Sequence, residues 1–401
     1  MNATLDADKA VVRAAGVAEL TAALVAIDTV SRRSNLDFLQ AVEDRLRARG
    51  GGQWRFRRLS YQGRFGREQA NLIATLPDAE GRDSGGLVLA GHADTVPYDP
   101  ESRATTQAVR QGELLYGRGS CDMKGAIAAM LLAAEAVARS GAPRRRALTI
   151  LITAEEEIGC LGAKRLLRDR ALRADMAWVG EPTSLRPVRM HKGCLGAEVR
   201  THGRPSHASR PELGESALLP ACRAVLALER LAAELEREGL LDAPGAGEPS
   251  LWQPPAATLV VGLMQAGTAR NVVPAEASFT IDVRVLPGQD ISALRRRVER
   301  VVAEALGPQT RAELIWTATD PPMMTAADAE VTRLAEELTG QRAGAVSFAT
   351  EGKELNALGI PSIVCGPGDI AVAHTDQEHV SISELEAAVD LYRRAIERVC
   401  L

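Results

Sequence analysis

The chain has 401 residues, 46% hydrophobic and 25% charged, enough for two or three domains with apolar cores. A formal net charge of -4 excludes the broad basic surface that nucleic-acid binding needs. The polar, acidic opening "MNATLDADKA" has no signal-peptide pattern, and the richest apolar stretch, "GAIAAMLLAAEAVA", is cut by Glu135 and too short to span a bilayer.

In chain order, residues 8–49 carry apolar positions at helical spacing with a break near "SRRSN". Short apolar runs follow: "NLIATL" (71–76), "GLVLAG" (86–91), "ALTILIT" (147–153) and "MAWVG" (176–180). Helical patterns alternate with them at 123–140 and 162–172, which predicts a mixed, mostly parallel sheet with helices on both faces. Near residue 191 the pattern changes. A strand "GAEVRTHG", a long helix, the loop "LDAPGAGEPSLWQPPA", strands "ATLVVGLMQ" and "ASFTIDVRV", a second helix and "AELIWTA" spell βαββαβ, a small α+β unit. From about residue 319 the first pattern resumes, through "SIVCGPG" to a last amphipathic helix. The expected organisation is therefore 1–190 and 319–401 as one interrupted α/β domain, with 191–318 as the insertion. Six cysteines (Cys121, Cys160, Cys194, Cys222, Cys365, Cys400) without CxxC spacing argue for a reduced, cytoplasmic chain.

In such a sheet, ligands gather at the carboxyl ends of the strands. There the sequence has His92 and Asp94 in "GHADTVP", Glu155, Glu156 and Glu157 in "AEEEIG", Glu181 in "GEPTS" and His374 in "AHTDQEHV". Asp122, in "GRGSCDMKG", opens a helix. Singly, each has an ordinary reading: a helix cap, a turn residue, a packed histidine. Jointly they are a zinc-type set of imidazoles and carboxylates. Asp122, two glutamates and one hydroxide balance two divalent ions, whereas one ion would leave excess negative charge in a partly desolvated cleft. "GRGSCD" fails as a dinucleotide loop because Asp122 stands where the third glycine belongs, and its spacing to Lys124 is wrong for a P-loop.

These segments, with "GRPSHASRPELG" and "TARNVVPAEASFTIDVR", occur in the order of the dinuclear zinc M20 peptidase family, which the chain resembles over nearly its whole length. The resemblance implies two Zn²⁺, with Co²⁺ as a substitute, and an inserted domain that serves as lid and homodimer interface. Asp122 would bridge both ions, His92 and Glu181 complete one site, and Glu157 and His374 the other. Asp94 would hold the far nitrogen of His92, and the Asp122–Met123 bond would be cis. Glu156 becomes the general base and Glu155 a support of the turn, roles the residues alone leave open.

On the insertion, His207 is implied to steady the developing oxyanion across the dimer, and Asn271 and Arg284 to hold a substrate carboxylate. "HKG", "FATEGKEL" and "CGPG" resemble the members that deacetylate N2-acetylornithine, with Glu351 accepting a cationic side chain. Other N-acyl amino acids, succinyl-diaminopimelate and dipeptides are the alternatives within the class, and a non-catalytic small-molecule binder is the alternative outside it. Two features depart from the pattern. The acidic-aromatic pair after the last histidine reads "TDQEHV", and Lys353 adds a positive charge beside Glu351.

Overall fold

The computed structural model describes residues 9–51, 53–239, 247 and 249–401, so the predicted loop over 241–256 and the opening decapeptide lie partly outside the described residues. Two compact units result. One runs to Arg189 and resumes over Thr325–Gly344 and Thr350–Leu401; the other comprises Met190–Met324 and Ala345–Ala349.

The first unit contains β1 (Arg55–Gln62), β2 (Glu68–Leu76), β3 (Leu87–His92), β4 (Val109–Gln111), β5 (Leu114–Tyr116), β6 (Leu148–Thr153), β7 (Met176–Pro182) and the start of β8 (Val188–His191). After the second unit come β15 (Ser362–Gly366) and β16 (His379–Ser381). The main sheet has the order β1-β2-β6-β3-β7-β15-β8. Its centre is parallel, from β6 through β3 and β7 to β15, and its flanks are antiparallel. β3, β6, β7 and β15 are buried along their whole lengths, as parallel strands covered by helices are. The sheet is therefore mixed and mostly parallel, as expected.

The helix Lys124–Arg139 is rich in Ala and Leu, strong helix formers, and is almost wholly buried against the helices Val17–Val25 and Ile382–Cys400. Its buried Glu135 is neutralised by Arg45, Nε to Oε1 at 2.5 Å. Two features escaped the periodicity. β1 is a half-exposed edge strand whose arginines mask its alternation. The antiparallel sheet β16-β5-β4 is made of three-residue strands, too short to show a period.

The second unit has β9 (Gly193–His202), the helix Leu218–Glu238, β10 (Thr258–Ala266), β11 (Glu276–Val285), the helix Ile291–Leu306 and β12 (Arg311–Asp320). This is the βαββαβ order, in an antiparallel sheet β10-β11-β9-β12. Val199, Phe279, Ile281 and Val283 face Ala224, Leu228, Leu231 and Val298 in a core of its own. The short β13 (Met323–Met324) pairs with Met190 and His191, and β14 (Gly344–Val346) also pairs with β8.

Candidate metal centre

The parallel strands of the first unit deliver the predicted residues to one place. His92 is the last residue of β3 and lies beside Thr153, the last of β6, in the parallel register. Three residues beyond Thr153 stands Glu156, and Glu181 is the penultimate residue of β7. Asp122 precedes the helix Lys124–Arg139 without capping it; the cap position is Met123, with no side-chain hydrogen bond. The helix-cap reading of Asp122 therefore fails. The Asp122–Met123 peptide is cis.

Asp122 sits between the two histidines. Its Oδ1 is 3.0 Å from His92 Nε2 and its Oδ2 is 3.1 Å from His374 Nε2. His374 Nε2 also meets the two oxygens of Glu157 at 3.1 and 3.0 Å, and Glu181 Oε1 lies 3.8 Å from His92 Nε2. Among the described residues, ligand atoms of His92, Asp122 and Glu157 lie within 4.8 Å of one another, and so do those of His92, Glu156 and Glu181. Glu156 thus stands within ligand reach of the same volume. The donor chemistry fits zinc: imidazole nitrogens and carboxylate oxygens converging on a small volume.

The electrostatics are those of concentrated negative charge. Burial works against ionisation of Asp122, yet hydrogen bonds from His374 and His92 hold its pKa below the ordinary carboxylate value. Hydrogen bonds to Asp122 and Glu157 raise His374 to about 10. Burial would lower His92, but its bond to Asp122 and the charge of Glu181 raise it well above the usual value. Burial, then the charge of Asp122, push Glu157 up to about 7. Burial likewise raises Glu156, and burial with the Asp122 charge raises Glu181.

Asp94 differs from the expectation. The far nitrogen of His92, Nδ1, faces the Asp94 carbonyl at 2.9 Å, while the nearest carboxylate oxygen is 3.7 Å away. The carboxylate instead accepts the backbone N–H of Glu156 at 2.9 Å, that of Glu157 at 3.3 Å and the Ser31 hydroxyl at 2.7 Å. It shapes the glutamate turn. Glu155 enters that turn with φ 56° and its Oε1 accepts the Arg64 N–H at 2.7 Å. The turn lies close on the next helix: a Cβ on Gly162 would meet the Ala154 carbonyl at 2.5 Å.

Glu351 is fully buried, with one oxygen bonded to the Thr153 hydroxyl and the other, Oε1, without a hydrogen-bond partner among the described residues. Burial raises its pKa to about 7. Lys353, the charge that stood against a cation pocket, is turned to Glu354 at 3.3 Å and to the Cys160 thiol at 3.0 Å. Cys160 in turn donates to Glu156 Oε1 at 3.1 Å.

In the second unit, His207 is exposed, with Nδ1 2.8 Å from the Ser209 hydroxyl. It is drawn beside the Asn271 loop by the Ala208 N–H, which donates to the Asn271 carbonyl at 2.9 Å. Arg284 is partly exposed and its Nε donates to Asp282 at 2.8 Å. The sequence reading missed Glu378. It gave no role to this residue within "TDQEHV", which is fully buried and is followed by His379, whose ring lies 4.9 Å from that of Tyr116. Its place four residues after His374 was the available signal.

Comparison with known proteins agrees with this architecture. Residues 88–398 match the profile of peptidase family M20/M25/M40. An acetylornithine deacetylase from Myxococcus xanthus is 38% identical over 94% of this chain and 96% of its own. One from Proteus mirabilis is 33% identical over 84% of each chain. Among solved structures, an M20 family metallo-carboxypeptidase from Sulfolobus solfataricus has a TM-score of 0.74 at 16% identity, covering 96% of this chain and 99% of that one. A dinuclear metal-binding M20 peptidase from Bacillus subtilis has 0.68 at 15%, covering 96% and 97%. A profile that spans the whole strand-end cluster, and relatives that span the whole fold, leave one conclusion: the chain belongs to peptidase family M20/M25/M40, whose members are hydrolytic enzymes acting on amide bonds.

Proposed function

We propose that this amidohydrolase uses two Zn²⁺ ions, with Co²⁺ able to stand in, to cleave N2-acetylornithine to ornithine and acetate. The observation that carries the reading is Asp122 with one oxygen toward each histidine, the geometry of a carboxylate shared by two ions. His92 and Glu181 would complete one site, Glu157 and His374 the other. When bound, the ions would polarise the acyl carbonyl and lower the pKa of the attacking water.

The chain's own residues do the rest. Glu156 takes a proton from the attacking water and passes it to the leaving amine nitrogen. Its Oε1 is engaged by the Cys160 thiol, which leaves the other oxygen for that exchange. Asp94 orients Glu156 and Glu157 through their backbone N–H groups. His207 donates to the developing oxyanion. Asn271 and Arg284 receive the substrate carboxylate, which would replace Asp282 on one edge of the guanidinium. The unpartnered oxygen of Glu351 suits the side-chain ammonium of ornithine. The similarity to acetylornithine deacetylases supports this substrate over the others.

Dimerisation through the second unit belongs to the same reading. Leu219 and Leu226 on the helix Leu218–Glu238 and Val260 and Leu263 on the edge strand β10 are large apolar side chains left more than half exposed, as a covered face would be. All six cysteines are free, which suits a cytoplasmic setting. No described helix is long and apolar enough to cross a membrane.

The test is a panel on the zinc-reconstituted protein: acetylornithine, other acetylated amino acids, succinyl-diaminopimelate and dipeptides. A highest kcat/KM on acetylornithine is expected. A higher value on another member reassigns the substrate. No turnover of any member with both ions bound makes the protein a binder.

A further inference from the structure

The structure joins Asp122 and His374 by a route that does not pass through their side chains. β16 pairs with β5 in the register His379 to Tyr116 and Val380 to Leu115. That register sets Glu378 beside Gly117, whose N–H donates to the Glu378 carbonyl at 3.2 Å. The segment carrying His374 and the segment carrying Asp122 therefore leave the same small sheet side by side.

Glu378 and Arg118 fill the space between them. Glu378 Oε1 accepts the backbone N–H groups of Gly119 at 2.9 Å, Cys121 at 3.2 Å and Asp122 at 3.1 Å. Its Oε2 accepts Arg118 Nη1 at 2.5 Å, and Arg118 Nη2 donates to the Thr375 carbonyl, next to His374, at 3.2 Å. Both side chains are at most 3% exposed. Every partner of this carboxylate is a donor, so an amide in its place would turn N–H groups toward N–H groups. Gly119 completes the loop with φ +85°, where a Cβ would meet Thr95 at 2.8 Å.

We propose that Arg118 and Glu378 are positioning residues, a clamp that sets the spacing of Asp122 and His374 and so the affinity of the ion those two share. The clamp rests on the reading of Asp122 and His374 as ligands. Neither clamp residue belongs to the ligand-atom groups of the site, so its effect runs through the backbone.

The test is titration of the metal-free protein with Zn²⁺ against a competing chelator, with circular dichroism as the measure of folding. Glu378→Gln and Arg118→Lys should each weaken the ion shared by Asp122 and His374 ~10–100-fold, the usual cost of losing a group that orients a ligand, and the ion on the His92 side markedly less. Turnover should recover at saturating metal. A folded variant that holds both ions as tightly as before overturns the clamp, and so does equal weakening of both ions with loosened near-ultraviolet signal. Should Glu378→Gln fail to fold, Arg118→Lys decides, since it keeps the charge against Glu378 and loses the second arm to Thr375. His374→Ala is the control and should lose one ion. If it keeps both, the ligand reading fails and the clamp with it.

Discussion

Glu155, Glu156 and Glu157 repel one another along the chain, and the structure separates their duties by orientation. Glu155 turns back to the Arg64 N–H, Glu156 is engaged by Cys160, and Glu157 meets His374. If Glu156 is the base, Glu156→Gln keeps both ions and loses turnover by at least ~100-fold, because an amide cannot take the proton. Metal analysis by mass spectrometry checks it; loss of an ion would make Glu156 a ligand, a role its distance from His92 and Glu181 permits. Asp122→Ala should lower metal content more than Glu157→Ala, since one carboxylate faces both histidines and the other only His374. Equal content in the two variants would reduce Asp122 to a ligand of one ion.

The elements explain why these residues meet at all. The parallel strands β6, β3 and β7 end at one edge of the sheet, where burial raises the proton affinity of Glu157 and the neighbouring carboxylates raise that of His92 and His374. Raised pKa values mean that protons are held at pH 7: His374 titrates near 10, His92 is raised well above its ordinary value, and Glu157 titrates near 7. Ligands must be deprotonated to bind metal, so loading at pH 7 should release protons. The release should shrink as pH rises toward 10, where His374 gives up its proton unaided. Calorimetry in buffers of different ionisation enthalpy measures it directly, and a buffer-independent heat at pH 7 would contradict the assignment of these groups as ligands.

At the scale of the whole molecule, the question is what the second unit adds. Its exposed apolar residues and free edge strand suit two-fold pairing, and His207 would serve the partner's site. One donor aimed at an oxyanion is worth ~100–1000-fold in rate, so His207→Ala should lose that much turnover and keep its metal. Mixing it with Glu156→Gln should restore activity, because a mixed dimer has one site with wild-type Glu156 and a wild-type His207 from the partner. Exchange of subunits without recovered activity would place His207 within its own chain.

The sequence by itself determined the mixed α/β class, the βαββαβ insertion and the residues at the strand ends. It did so because buried parallel strands are continuous apolar runs, and imidazoles and carboxylates interrupting their ends stand out against them. The tertiary structure alone decided which donors face which. That Asp122 lies between His92 and His374, and that the Asp94 carboxylate serves the glutamate turn rather than His92, depends on side-chain directions that spacing does not encode. The partners of Glu378 were illegible for a further reason. They lie 256 to 260 residues away and are joined to it by a register between strands three residues long, too short to leave a period in the sequence.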